Sequence, residues 1–203
     1  MIVANIMTFG RQNKKPSLLN LSATNQDHII RVSGSYIFSG EFFVEFDFSY
    51  SALSDSFAVI AGSINSTSSF RILVNKTATL ITVNVNSNLT LSKVTDFNIR
   101  YKIKVRRDNL NNIFVSYDGG LETNIGVRAG NTDIKAIGIE RIDNLGRFLT
   151  GKIYSYNING EIYNLSEGSG NKVYGSLGTE MEIKTINAGG INYINNTIWE
   201  IIT

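Results

Sequence analysis

The sequence predicts an all-β protein that folds as a two-layer antiparallel β-sandwich of the jelly-roll type. Three observations indicate this fold. Hydrophobic residues recur with a period of two along the chain, helical periodicity is nearly absent, and polar turns separate the runs at spacings of about 8 to 15 residues. A chain of 203 residues is long enough to bury one core, so a single sandwich is expected.

The beginning of the chain does not share this alternation. Residues 1–27 are largely polar, contain the only proline, Pro16, and show no sustained period. We predict that they form an N-terminal arm and that residues 28–203 form the sandwich. A polar arm is usually disordered unless something holds it, so contact with its own sandwich or with a neighbouring subunit is expected.

Four runs alternate most clearly, and alternation assigns each side chain to the core or to solvent because successive strand residues face opposite ways. The predicted inward residues are Phe42, Val44, Phe46, Phe48 and Tyr50; Ile81, Val83 and Val85; Phe97, Ile99, Tyr101, Ile103 and Val105; and Ile113, Val115 and Tyr117. Weaker strand candidates are 28–34, 56–63, 70–75, 134–142, 149–158 and 194–202.

Composition excludes several classes of site and partner. The chain has no cysteine, and its single histidine, His28, rules out a His-rich zinc site. No run approaches the roughly 18 apolar residues that span a bilayer, so membrane insertion is not expected. The N-terminus lacks the pattern of a secretion signal. The net charge of +2 is too small to indicate nucleic acid as a partner.

Two outward faces carry opposite charge. Three carboxylates face outward on the 42–50 run and the residue before it, namely Glu41, Glu45 and Asp47. Four cations face outward on the 97–106 run, namely Arg100, Lys102, Lys104 and Arg106. If the two strands share a sheet, each cross-strand pair contributes about 0.2 to 1 kcal/mol, and this is the leading interpretation of the carboxylates. The cations could instead bind an acidic glycan or a phosphate-rich surface. No aromatic residue interleaves with them, which argues against stacking on nucleic acid bases.

Three blocks resemble the laminin-G-like branch of the concanavalin A-like jelly rolls. Residues 101–120 are similar to its strand, Arg-Asp, turn, strand, Asp-Gly hairpin, and residues 134–159 to a later strand pair. Residues 163–185, followed by Trp199, resemble a closing segment common in phage tail and other virion proteins of this fold. Gly175 departs from that pattern, in which an Asp is usual at this position.

The resemblance implies a non-enzymatic virion component, located on a phage tail or capsid surface. Such a protein would recognise cell-surface glycan or dock on other virion proteins or on copies of itself. An extracellular or bacterial cell-surface location is the alternative. Candidate sugar-binding residues are Tyr117 and Asp118 at a hairpin turn, and Tyr154 and Tyr163, because sugar sites often combine an aromatic ring with a carboxylate.

Residues Val44 to Asp47 also resemble the V-E-F-D-T segment of legume lectins, in which the Glu and Asp bind a transition metal and calcium. The resemblance implies Glu45 and Asp47 as metal ligands, but Ser51 stands at the asparagine position and Asp55 is one residue short of the last ligand. Calcium takes six or more oxygen ligands, so no cofactor is assigned. A calcium-dependent lectin or carbohydrate-binding module is kept as the alternative.

Related jelly rolls include β-glucanases whose catalytic strand reads E-x-D-x-E or E-x-D-x-x-E. Glu45 and Asp47 match the first two acids, and the third falls on Ser49 or Tyr50. Retaining hydrolysis needs a nucleophile and an acid about 5 to 5.5 Å apart. Because the third acid is missing, no catalytic residue is assigned, and a glycoside hydrolase is kept only as a second alternative.

Overall fold

The computed structural model describes residues 17–21, 27–31, 34–51, 57–62, 70–75, 80–85, 89–134, 136–139, 149–165, 171–187, 190–193 and 199–201. The strands, in chain order, are β1 (Ser17–Leu21), β2 (Asp27–Arg31), β3 (Tyr36–Phe38), β4 (Phe42–Tyr50), β5 (Phe57–Gly62), β6 (Phe70–Asn75), β7 (Leu80–Val85), β8 (Leu89–Val94), β9 (Arg100–Arg107), β10 (Asn112–Tyr117), β11 (Thr123–Val127), β12 (Thr132–Ile134), β13 (Ala136–Ile137), β14 (Gly151–Ile158), β15 (Glu161–Asn164), β16 (Lys172–Tyr174), β17 (Glu180–Asn187), β18 (Gly190–Tyr193) and β19 (Trp199–Ile201). The described residues contain no helix, and therefore no helix that could cross a membrane.

Two large antiparallel sheets form the sandwich. Sheet A has the order β11-β10-β9-β4-β14-β1-β19, with β15 also paired to β14. Sheet B has the order β16-β17-β2-β13-β5-β6-β7-β8, with β18 also paired to β17. A two-stranded ribbon of β3 and β12 lies beside them. This arrangement confirms the predicted all-β, concanavalin A-like jelly roll.

The core lies between the two sheets and is built from the alternate positions that the sequence predicted. On β4, in the middle of sheet A, the five predicted inward residues are all buried, and the three of β7 in sheet B are buried as well. Each large apolar side chain buried in this way contributes about 1.5 to 3 kcal/mol. The period-two assignment of these strands is therefore confirmed.

The strand predicted over 97–106 begins later than expected. Asn98 adopts a positive φ of 63°, and its N–H donates to the carbonyl of Tyr50 at 2.7 Å, so residues 97 and 98 form a turn. Asparagine tolerates this conformation better than most residues. Ile99, predicted to face the core, is 51% exposed as a result.

Part of the predicted arm belongs to the sandwich. Ser17–Leu21 forms β1, which lies in sheet A between β14 and β19, and Leu19 and Leu21 join the core. Five residues are too short a run for periodicity to distinguish a strand from a polar arm. His28, the first residue of the strand candidate 28–34, is buried in β2. Residues 1–16 and 22–26 lie outside the described part of the chain.

A buried arginine ties two segments to the end of sheet A. Arg107 is 2% exposed, and its guanidinium donates to the carbonyls of Phe38 at 2.8 Å and Gly40 at 2.6 Å, between the end of β3 and β4, and to that of Gly130 at 2.6 Å, before β12. It also lies 5.2 Å from the ring centroid of Phe42. Burial lowers the pKa of Arg107. One side chain thus supplies hydrogen-bond donors to three backbone carbonyls.

We expect Arg107→Met to destabilise the fold by about 3 kcal/mol, because three carbonyls lose their donor. Urea unfolding monitored by tryptophan fluorescence measures the change in free energy. Lys172→Met is the matched control, since the ion pair between Lys172 and Glu180 lies at the surface, where water and salt screen it. Equal losses in the two variants would contradict the structural role of Arg107.

Candidate functional site

The outward side of sheet A carries a network of ion pairs on β4 and β9. Pairing places Glu45 opposite Lys104 and Asp47 opposite Lys102. The closest contacts are diagonal: Arg100 donates to both oxygens of Asp47 at 2.6 and 2.7 Å, and Lys102 lies 3.5 Å from Glu45. Long side chains reach diagonal neighbours in a twisted sheet. The interpretation of Glu45 and Asp47 as partners of the basic row is confirmed, with an offset of two residues.

Because the contacts are diagonal, Lys104 and Arg106 do not pair with the carboxylates of β4. They pair with a third carboxylate that no sequence pattern indicated. Glu122, just before β11, lies 3.3 Å from Lys104 Nζ and accepts two N–H groups of Arg106 at 2.6 and 2.7 Å. These bonds, chiefly the one from Arg106, lower the pKa of Glu122. No local pattern marks Glu122, because it meets β9 only through the fold. We call Glu45, Asp47, Arg100, Lys102, Lys104, Arg106 and Glu122 the charged face.

The candidate metal ligands do not converge on a metal site in the described residues. Glu45 and Asp47 are held by cations, as above, and the side chain of Asp47 is only 7% exposed beneath Arg100. Asp55 lies outside the described part of the chain. Within the described residues, no group of three or more His, Asp or Glu side chains could hold a metal ion.

The third glucanase acid would stand at Ser49 or at Tyr50, and these two residues face opposite sides of sheet A. Tyr50 is buried in the core, whereas Ser49 lies on the outward side, with its hydroxyl 3.5 Å from that of Tyr154. The hydrogen bonds that Arg100 donates to Asp47 raise the pKa of Arg100, as expected for a tight, bidentate pair.

Two aromatic rings on the neighbouring strands β14 and β10 border the charged face, although none interleaves with the cations along β9 itself. A β-bulge in β14 places Tyr154 between the residues that pair with Phe48 and Asp47, so Tyr154 and Ser155 are adjacent and both half-buried. The guanidinium of Arg100 lies 4.2 Å from the Tyr154 ring centroid. On β10, Phe114 lies 3.9 Å from the guanidinium of Arg106.

The sequence contained a signal for this bulge. If Ile153 is buried, the odd-numbered residues of the run 149–158 face inward. If Tyr156 and Ile158 are buried, the even-numbered residues face inward instead. All three side chains are buried. One extra residue between Ile153 and Tyr156 reconciles the two phases, because side chains alternate strictly in a regular strand. The change of phase therefore predicts a bulge at residues 154 and 155.

The remaining sugar-binding candidates take structural positions. Tyr117 packs against the core and donates to the Leu91 carbonyl of sheet B at 3.1 Å, and burial raises its pKa. Asp118 accepts the Lys102 N–H at 2.8 Å and pairs with Lys93, which joins the edges of the two sheets. Tyr163 is fully buried. Of the predicted aromatic candidates, Tyr154 is the one that borders the charged face.

Two adjoining depressions cover the charged face. Residues Lys102 and Gly119 line both. The first, about 190 Å³, is lined by Glu45, Lys102, Lys104, Ser116, Gly119, Gly120 and Glu122. The second, about 530 Å³, is lined by Asp47, Arg100, Tyr101, Lys102, Asp118 and Gly119. Polar side chains thus surround a surface large enough to contact a sugar unit and its neighbours.

The departure at Gly175 has a structural reason. A Cβ at this position would overlap the carboxylate of Glu161, which lies against the glycine. The buried Glu161 accepts the Thr179 N–H at 2.9 Å and the Tyr36 hydroxyl at 3.0 Å, and Tyr36 also contacts the hydroxyl of Tyr163. The Glu161 carboxylate therefore leaves no room for a side chain at position 175.

Comparison with known proteins supports the fold. No family model and no curated protein sequence matches the chain. A putative carbohydrate binding protein from Bacteroides ovatus has a similar structure, with a TM-score of 0.59 and 14% identity over 93% of this chain and 60% of that chain. The LG1-3 region of the laminin alpha2 chain is similar with a TM-score of 0.54 and 12% identity over 76% of this chain and 28% of that chain.

An alginate lyase, AlgAT5 of polysaccharide lyase family 7, has a TM-score of 0.45 and 15% identity over 61% of each chain. This likeness is too low to carry a functional comparison. The chain spans less than two thirds of the length of each of these three proteins. At such identities the comparisons show the concanavalin A-like and laminin-G-like sandwich fold, and function has to be argued from the site.

Acid should weaken the structure at the end of β9. Asp108 accepts the N–H groups of Leu110 at 2.9 Å and of Asn112 at 2.8 Å, and its bonds, chiefly with the Asn112 side chain, lower the pKa of Asp108 from 3.8. A carboxylate whose pKa is lower in the folded chain than in the unfolded chain stabilises the fold at pH values above the unfolded-chain pKa. This contribution is lost as the pH falls through the folded-chain pKa.

We expect the melting temperature to decrease as the pH is lowered below about 4. In Asp108→Asn the decrease over the same pH range should be smaller, because the amide cannot titrate. Differential scanning fluorimetry across a pH series measures both. The control is Asp96→Asn, at an exposed position outside this turn. An acid dependence unchanged by Asp108→Asn, or changed equally by the control, would contradict the assignment.

Proposed function

We propose that this protein is a non-enzymatic binding domain that recognises glycan through the charged face and the adjacent Tyr154. The observation that carries the proposal is the bulge in β14, which places Tyr154 and Ser155 beside the Asp47–Arg100 pair. A ring edge, a hydroxyl, a carboxylate and a guanidinium then lie together. This combination offers apolar contact together with donors and acceptors for sugar hydroxyls.

The rigidity of the site supports a binding role. The Asp47–Arg100 pair is bidentate, and Glu122 binds both Lys104 and Arg106, which lie two residues apart on β9. Side chains fixed before the ligand arrives lose little conformational entropy on binding. Sites built on strands also hold their geometry better than sites on loops.

The state of the carboxylates supports the absence of catalysis. A general acid needs a pKa raised towards the working pH, as in glycosidases. Here the bonds from Arg106 lower the pKa of Glu122, and Asp47 is held by both arms of the Arg100 fork. Both carboxylates keep lone pairs that can accept hydrogen bonds from a ligand.

The virion setting is a separate part of the proposal, and its support is the resemblance of residues 163–185 to the closing segment of phage tail proteins. Many copies on one particle would turn weak sugar contacts into strong attachment through avidity. Partners would then be copies of this chain or other virion proteins. A 22.4 kDa monomer that binds a glycan array strongly by itself would favour a free-standing lectin over a docking protein.

Binding of oligosaccharide should depend on Tyr154. We expect Tyr154→Ala to weaken the binding of glycans selected on a printed array about tenfold, the loss of roughly 1.4 kcal/mol. Titration calorimetry with the purified oligosaccharide measures the change. The matched control is Tyr174→Ala, because Tyr174 is an exposed tyrosine on β16 in the other sheet.

If no array glycan binds the unmodified protein, the proposed function fails. If binding occurs and Tyr174→Ala weakens it as much as Tyr154→Ala, the glycan site lies elsewhere on the sandwich. Circular dichroism of each variant shows whether the fold is retained.

Calcium distinguishes the metal-dependent lectin from the function proposed here. Ion pairs already occupy Glu45 and Asp47, so we expect added calcium to leave the melting temperature and glycan affinity unchanged. A ligand that binds only the native state must raise the melting temperature. A clear rise with calcium that is lost in Asp47→Asn would establish the metal-dependent alternative.

A further inference from the structure

We infer that the charged face selects uncharged glycans and rejects uronate- and sulfate-bearing ones; this inference rests on the proposed function and specifies its ligand class. In the sequence, four cations in a row suggested an anionic ligand as an alternative. The structure favours the opposite choice, because the fold brings three carboxylates to those cations.

The four cations of the row share three carboxylates, so four positive and three negative charges leave a net charge of only +1. Arg100, Lys102, Lys104 and Arg106 all have a nitrogen 2.6 to 3.5 Å from a carboxylate oxygen. Two of these carboxylates come from β4 and the third, Glu122, from the segment before β11. The row therefore presents short-range pairs of opposite sign, whose fields largely cancel beyond a Debye length of about 8 Å.

Both depressions are balanced in charge as well. The 190 Å³ depression has Glu45 and Glu122 against Lys102 and Lys104. The 530 Å³ depression has Asp47 and Asp118 against Arg100 and Lys102. An anionic sugar placed in either one would meet two like charges and would have to compete for cations that already have partners. Like-charge contacts are the common means by which a site excludes a wrong ligand.

A neutral sugar meets no such penalty. Hydroxyl groups both donate and accept, so they can bind at a carboxylate and at a cation without breaking the pair between them. Asp47 uses two of the five N–H donors of Arg100, and each carboxylate oxygen has more than one lone pair. Alternating donors and acceptors at strand spacing suit a row of vicinal hydroxyls.

The test removes one carboxylate and asks whether the specificity reverses. Glu122→Gln leaves Lys104 and Arg106 without their shared anion. The matched control is Glu180→Gln, which makes the same change in net charge in the exposed Lys172–Glu180 pair of sheet B. Two probes of equal length are compared by titration calorimetry, namely a neutral gluco-oligosaccharide hexamer and an oligogalacturonate hexamer. Retention on a sulfated-polysaccharide column, eluted with a salt gradient, reports the exposed positive charge independently.

For the unmodified protein we expect binding to the neutral hexamer with little salt dependence, binding to the anionic hexamer at least about tenfold weaker, and early elution from the column. Glu122→Gln should bind the anionic hexamer several-fold more tightly at low salt and elute later. Glu180→Gln should behave like the unmodified protein.

The outcomes separate the two proposals. Preferential, salt-sensitive binding of the anionic hexamer by the unmodified protein overturns the ligand class and leaves the glycan function standing. Failure to bind either hexamer or any array glycan overturns the glycan function, and the ligand class falls with it. If the column retains the unmodified protein and Glu122→Gln equally, Glu122 does not neutralise the row and the inference is overturned. The same holds if Glu122→Gln and Glu180→Gln gain affinity for the anionic hexamer equally.

Discussion

The register between β4 and β9 is the constraint on which the rest of the structure depends. In this register Phe46 pairs with Ile103 inside the sandwich while Glu45 and Asp47 lie opposite cations outside. A slip of one residue would exchange the two faces, moving carboxylates into the core and phenylalanines into water. Hydrophobic burial and charge pairing therefore select the same alignment, and the agreement of two independent forces is what makes it unique.

The charged face follows from that alignment, and its character depends on long-range contacts. Pairs on neighbouring strands each contribute little to stability, since exposed ion pairs are screened by water and salt. In the proposed function their larger effect is on recognition. Glu122 lowers the net positive charge of the row, and the β14 bulge adds Tyr154 to the border of the charged face. The proposed recognition of glycan therefore depends on one residue that arrives through a loop and on one irregularity in a strand.

Buried polar groups complete the sandwich where the strands end. Arg107 binds three carbonyls in two segments, one between the end of β3 and β4 and one before β12, and Glu161 joins Tyr36 to the turn before β17. Such groups are costly to bury unless every partner is present, so they favour a single arrangement of the loops around them. The closeness of Gly175 to Glu161 shows the same dependence, because one position must stay small for the other to reach its partners.

The sequence by itself determined the fold class and the inward faces of β4, β7 and most of β9, because period-two burial is a local property of the chain. It also identified Glu45 and Asp47 as partners of the basic row. It missed β1, the late start of β9 at the Asn98 turn, and the role of Glu122. Only the tertiary structure decided these, since a five-residue strand is stabilised by its neighbours, and an ion pair between loop and sheet exists only after residues distant in sequence meet.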